Sequence, residues 1–207
     1  MIKLYHSNGT CSNVPLIVLQ ELAMPYEVQR YDNKTRKFQD GTSIIDHNPG
    51  GYVPILKLDD ESYLTEVAVI IQYLADQKQS LIPKLGTIER YRFMALLNIL
   101  STEIHKSFSP FFIIPRVGKD EDLTKRAKPV FEKYLFPKIQ VFEDHLAKHQ
   151  YLFGDEFTVA DIYFYVLLGW ASYANVDFTP FKHCASFSEQ IAKRPSVVSL
   201  TEANLLT

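Results

Sequence analysis

Apolar positions change their spacing once along this chain, near residue 80. Before that point they come in short runs. Ile2-Lys3-Leu4-Tyr5 reads as a strand, the apolar stretch Leu16–Leu22 behind Pro15 as a helix, and Tyr26–Arg30 as a second strand. A polar stretch, Asp32–Gly41, leads into a short helical segment and then the turn Asn48-Pro49-Gly50-Gly51. Val53–Leu58 and Tyr63-Leu64, joined across Asp59-Asp60-Glu61-Ser62, read as a hairpin. From Glu66 to about Gln77, Val67, Ile70, Ile71 and Leu74 fall at the spacing of a helix that buries one face.

Past Leu81-Ile82-Pro83-Lys84-Leu85-Gly86, the pattern is helical throughout. Ile88–Ser109 is one long helix closed by Pro110, and Leu123–His149 is a second, with Pro129 and Pro137 as kinks or breaks. Thr158–Ala174 and Ser186–Lys193 complete the set, the last ending at Pro195. The pattern therefore predicts a small α/β domain over residues 1–80, a linker over 81–87 and an all-helical domain over 88–207. Thr158-Val159-Ala160-Asp161 has the form of a capping box, with Phe157 and Ile162 placed as a hydrophobic staple, and reads as structural. Pro54 fits either an edge strand or a cis peptide at the start of one.

Composition narrows the function. A hydrophobic content of 46%, a charged content of 22% and a net charge of −2 over 207 residues describe a soluble globular protein with no basic footprint for nucleic acid. No apolar run reaches the length of a membrane span, and the first residues lack a leader's apolar core, so the expected location is the cytoplasm. Two cysteines, Cys11 and Cys184, far apart and without zinc spacing, read as reduced thiols with no metal.

Cys11 is the residue with chemistry to offer. It lies between a strand with its turn (Ser7-Asn8-Gly9-Thr10) and a helix start marked by Pro15. A thiol placed where a helix presents unpaired N–H groups and its positive end ionises below the ordinary value of about 8.5 and becomes nucleophilic. The alternative is a small buried hydrophobe. Asn98, Ser101, Thr102 and His105 recur at α-helical spacing and so share a face of the long helix, either as a site or as a solvated stripe.

Taken together, Cys11 at the strand-to-helix corner, Asn48-Pro49-x-Gly51-x-Val53-Pro54, Leu64-Thr65-Glu66 opening a helix, and Phe157–Ile162 in the helical half resemble the cytosolic glutathione transferases. Cys11 with Asn98 and Ile104-His105-Lys106 is similar to their bacterial beta class. The resemblance implies a thioredoxin-like glutathione-binding domain followed by an all-helical domain lining the electrophile site. It implies Cys11 and His105 as catalytic residues, His105 holding a proton for, or bonding to, the sulfur. It implies a glutathione site of Tyr52, Val53, Glu66, Val67, Arg36 and Asn98, with Glu103 reaching the partner subunit's glutathione in a homodimer. Val53 would pair with the cysteinyl part, Glu66 would accept the γ-glutamyl amino group, and Arg36 would bind the glycyl carboxylate. The cosubstrate is glutathione, without a metal.

Two positions depart from the resembled pattern. Val67 stands where a small residue, often Ser, adds a hydroxyl bond to the γ-glutamyl carboxylate, and Tyr52 stands where Gln is common. A lost charge-assisted bond weakens binding by roughly 1.5–3 kcal/mol. The expected function is a glutathione transferase acting through a cysteine, by conjugation, thiol-disulfide transfer or peroxide reduction on small electrophilic or disulfide substrates. The alternative is a non-catalytic regulator or ligand-binding protein of the same fold, which Val67 favours.

Overall fold

The computed structural model describes residues 1–207 and divides into two compact units, Met1–Leu85 with Ala192–Thr207, and Gly86–Ile191. The first unit holds β1 (Ile2–His6), α1 (Asn13–Glu21), β2 (Tyr26–Asp32), β3 (Lys37–Phe38), α2 (Ile44–His47), β4 (Ile55–Lys57), β5 (Tyr63–Thr65) and α3 (Val67–Lys78). Its strands form one sheet in the order β3-β2-β1-β4-β5, with β1 and β2 parallel and the other pairs antiparallel. This is a thioredoxin-like mixed sheet.

Register explains why β1 and β4 are apolar on consecutive residues. Leu4 pairs with Leu56 and Tyr5 with Ile55, so the two pairs point to opposite faces and all four are buried. Tyr5, Ile55 and Phe38 cluster on one face with Tyr31, Ile44 and Val53, and alternation sends Leu4 and Leu56 to the other. α1 and α3 pack against each other with Leu16, Leu19, Ile70, Ile71 and Leu74 fully buried. The spacing read from α3 is the spacing that packs.

The structure revises two local expectations and chooses between the alternatives for a third. The polar stretch after β2 is a hairpin, since Phe38 pairs with Tyr31 and Lys37 with Asp32. Phe38 is 3% exposed, and one buried aromatic holds this short strand although its neighbours are polar. The Val53–Pro54 peptide is cis, and Pro54 precedes the first residue of β4, so no ladder bond is lost. Residues 192–207 belong with the α/β unit instead of the helical one. α9 (Pro195–Glu202) packs on α1, and Glu21 accepts from both Arg194 and Ser196.

The second unit is helical: α4 (Ile88–Ile99), α5 (Lys106–Ile113), α6 (Glu121–Leu146), α7 (Val159–Tyr173) and α8 (Lys182–Ala192). Pro110 does not close the first long helix. The chain runs on through Ile113, with π-helical turns at Leu100–His105 and Ile114–Gly118 on either side of α5. Pro129 and Pro137 likewise sit inside an unbroken α6. Proline costs a helix one bond and one clash, and the buried Leu135, Ile139 and Phe142 hold α6 through that cost. At the centre lies α7, whose start is the capping box foreseen from sequence. Asp161 accepts from Thr158 N at 2.8 Å, from Thr158 Oγ1 at 2.9 Å and from Leu152 N at 2.8 Å. No helix is long and apolar enough to cross a membrane.

Candidate functional site

Strand register gathers the first unit's candidate residues at one end of the strands. Tyr5 pairs with Ile55 and Ile55 with Thr65. The chain leaving β1 toward Cys11, the chain entering β4 through Tyr52-Val53-Pro54, and Glu66 just past β5 therefore emerge side by side. Arg36 lies beyond the same end of β2, exposed in the β2–β3 turn, where its N–H donates to the Asp32 carbonyl at 2.8 Å. The turn before Tyr52 is built by Asn48, whose Oδ1 accepts from Gly50 N and whose Nδ2 donates to the Tyr52 carbonyl. It needs Gly51 at φ 72°, a conformation that costs other residues energy.

Cys11 is half-buried, and its Sγ donates to the Val53 carbonyl at 3.3 Å. Only the protonated thiol can make that bond. The helix donors expected to face the sulfur already have acceptors. Ser12 N donates to Thr10 Oγ1, Asn13 N to the Thr10 carbonyl, Val14 N to the Cys11 carbonyl and Leu16 N to the Ser12 carbonyl, while Pro15 has no N–H. Cys11 does lie just before a helix, two residues earlier than Pro15 suggested, but its local partner is a carbonyl. Ser12, fully buried, ties the loop together: its Oγ meets His6 Nδ1 at 2.8 Å and accepts from Ser7 N at 3.0 Å.

Glu66 opens α3 at φ 67° and ψ 122°, a backbone region that costs a non-glycine residue on the order of 1–3 kcal/mol. The side chain is exposed. Its carbonyl accepts from Val69 N and Ile70 N, and the N–H groups of Val67 and Ala68 stand ahead of these as first-turn donors that the helix does not use. Val67 is 5% exposed, so its side chain belongs to the core and its contribution to a ligand is its backbone. Tyr52 is 75% exposed, while Val53 presents its carbonyl to Cys11.

The π turn at Leu100–His105 breaks the stripe drawn from α-helical spacing, because its wider turn rotates every later residue about the helix axis. Asn98 and Thr102 are exposed, with Thr102 Oγ1 donating to the Asn98 carbonyl at 3.0 Å. The His105 ring instead packs edge-on against Tyr163 and Trp170, and Nδ1 meets the Tyr163 hydroxyl at 2.8 Å. Burial, helped by the Lys106 charge, pulls the His105 pKa down to about 4. The lowered pKa favours the neutral imidazole, which can donate or accept a hydrogen bond. Glu103 is paired with Lys138 Nζ at 2.8 Å, beside an apolar hollow of about 450 Å³ lined by Ile99, Ile104, Val141 and Phe142.

Cys184 is 1% exposed, and burial together with the adjacent Glu143 carboxylate pushes its thiol far up. It is inert by position. Sequence reasoning missed His6 and Ser12, which hold the Cys11 loop. The apolar context of His6 carried no signal, but a serine directly after the cysteine did.

Two family models match, the glutathione S-transferase N-terminal domain over residues 9–77 and the C-terminal domain over 121–197. The glutathione S-transferase GstA of Escherichia coli O157:H7 is 32% identical over 198 residues, with 95% of each chain covered. Among solved structures, a bacterial beta class glutathione S-transferase from Sphingomonas chungbukensis superposes with a TM-score of 0.89 at 35% identity, over 99% of this chain and 100% of that one. A sphingomonad glutathione S-transferase complexed with glutathione superposes equally well, at 34% identity over 99% and 100% of the two chains.

Proposed function

Because the chain belongs to the glutathione S-transferase family, we propose that it is a glutathione-dependent transferase whose reacting protein group is the Cys11 thiol. The observation that carries this reading is the Cys11 Sγ to Val53 carbonyl bond, at the end of the sheet where Glu66 also emerges. Glutathione would pair its cysteinyl amide with Val53, place its γ-glutamyl amino group on Glu66 and its γ-glutamyl carboxylate on the N–H groups of Val67 and Ala68. Arg36 would meet the glycyl carboxylate. An anion suits the first turn of α3, where unpaired donors and the macrodipole agree.

The Val53 carbonyl has two lone pairs, so the glutathione amide and the Cys11 thiol can both donate to it, and Cys11 reacts once it gives up its proton. The thiolate attacks a disulfide such as oxidised glutathione. The Cys11–glutathione bond forms, the old S–S bond breaks, and one glutathione thiolate leaves. A second glutathione resolves the adduct, yielding oxidised glutathione and restoring Cys11. Thiol transfer is therefore favoured over conjugation of small electrophiles, where a donor holding the glutathione thiolate serves better than a second thiolate. His105 would contribute as a neutral hydrogen-bonding ring, Asn98 through its exposed amide, and Glu103 toward the partner subunit's glutathione after leaving Lys138. A homodimer in the cytoplasm completes the reading.

The test is intact-mass measurement after incubation with oxidised glutathione. One glutathionyl group should appear on Cys11, be removed by dithiothreitol, and be absent from Cys11→Ala. Val67 favours a second reading, a regulator with weakened glutathione binding, because its buried methyl groups replace a ligand hydroxyl. Failure of the protein to be retained on immobilised glutathione, together with no adduct, would select that reading.

A further inference from the structure

The loop that carries Cys11 is bonded to a stretch of chain nearly two hundred residues away. His6 Nε2 donates to the Leu205 carbonyl at 2.8 Å, Gly9 N to the Leu206 carbonyl at 3.1 Å, and Asn13 Nδ2 to the same carbonyl at 2.8 Å. Asn8 Nδ2 spans the Asn204 carbonyl at 2.9 Å and the Thr207 oxygen at 2.8 Å. Every donor lies at the end of β1, in the loop or at the start of α1, and every acceptor is a backbone oxygen of Asn204–Thr207. The segment is itself anchored, by the buried Leu206 side chain and, upstream, by Arg194 and Ser196 on Glu21 of α1.

We propose that Asn204–Thr207 is a latch that sets the position of the Cys11 sulfur, with His6, Asn8 and Asn13 as the positioning residues through which it acts. The proton count shows how. A carbonyl only accepts, so the hydrogen of the fully buried His6 ring sits on Nε2, facing Leu205. Burial keeps that ring neutral by lowering its pKa. Nδ1 is then an acceptor, and it takes the Ser12 hydroxyl hydrogen at 2.8 Å. The Ser12 oxygen remains free to accept from Ser7 N at 3.0 Å, which closes the loop around Cys11.

Without the Leu205 carbonyl the other tautomer becomes available. Nδ1–H would then donate to Ser12, whose own hydrogen would turn to Thr10 Oγ1, 2.8 Å away, or to the Ser7 carbonyl, 3.0 Å away. The Ser7–Ser12 turn loses its single arrangement, and with it the 3.3 Å approach of the sulfur to Val53. None of the latch bonds involves Glu66 or the start of α3, so losing it disturbs the sulfur and its approach to Val53 more than the hold on glutathione.

That it matters for turnover rests on the reading of Cys11 as the reacting thiol, and the experiment separates the two. A chain ending at Ala203, and the full chain with Leu206→Ser, are compared with the native chain for iodoacetamide modification of Cys11 by intact mass, a reaction that needs no glutathione. Both variants should react at least threefold faster, because the sulfur is no longer held half-buried against Val53. Thiol transfer between glutathione and a small disulfide should show kcat at least tenfold lower with KM for glutathione within threefold. Should the shortened chain fail to fold by circular dichroism, Leu206→Ser alone decides. A Cys11 modification rate less than threefold above native in a folded variant overturns the latch. Loss of glutathione activity in the native chain overturns the proposed function while leaving the modification result to stand.

Discussion

Cys11 and Cys184 differ in what surrounds the sulfur, and that difference sets their chemistry. Cys184 is enclosed, with Glu143 accepting from its backbone N–H at 2.8 Å, and its carboxylate disfavours a second negative charge. Cys11 is half-buried beside a neutral carbonyl. Iodoacetamide on the folded protein is expected to modify Cys11 alone, with glutathione protecting it; equal labelling of both thiols would remove Cys11 from the mechanism. Glu66 combines an exposed carboxylate with a costly backbone. Glu66→Gly should keep or raise the thermal midpoint, since glycine accepts φ 67° without strain. Glutathione affinity should fall by about 1.5–3 kcal/mol for the lost charge-assisted bond. Calorimetry showing unchanged affinity would make Glu66 a turn residue only.

Among the elements, α7 and the π turn before α5 carry the clearest consequences. The α7 start is a cap whose acceptor, Asp161, serves three donors in the core. Thr158→Ala should cost about 1 kcal/mol in denaturant unfolding, the usual value of a lost cap. Asp161→Ala should cost more, because it leaves the Leu152 and Thr158 N–H groups buried without a partner. Activity per folded molecule should be unchanged in both. The π turn delivers His105 to Tyr163 and Trp170 and so keeps it neutral. Above pH 6.5 neither the folded nor the unfolded chain protonates this ring. Between pH 6.5 and about 4 only the unfolded chain does, so stability falls as pH falls through that window. The loss is up to about 3 kcal/mol, reduced where water reaches the ring. His105→Asn should flatten the stability curve there, and a curve parallel to the native one would contradict the buried neutral ring.

At the scale of the whole molecule, self-association is the open consequence. Met94, Ile99, Val130, Tyr134 and Val141 are exposed apolar residues on α4 and α6, and Ile99 and Val141 also line the hollow beside Glu103. Sedimentation at micromolar concentration should show twice the mass of one chain, and Val141→Glu should shift it toward one. A native monomer would rule out a role for Glu103 at the partner subunit's glutathione.

The sequence alone determined what local pattern controls. Apolar spacing determined α1, α3 and α7, the β4–β5 hairpin followed from its turn residues, and the capping box followed from Thr158 and Asp161. The family resemblance, carried by residue type and order, singled out Cys11, Val53-Pro54 and Glu66, which strand register brings to the same end of the sheet. The tertiary structure decided what depends on partners distant in sequence. It set Phe38 into the sheet, continued α6 without a break past two prolines, and put a π turn where α-helical counting had aligned Asn98 with His105. It also decided that the α1 donors are spent on carbonyls, that Cys11 faces Val53, and that Asn204–Thr207 closes the loop. The reason is physical. Phe38 and α6 are held by side chains buried against partners distant in sequence, and the Cys11 loop by backbone groups that every residue carries alike, so local pattern announces neither.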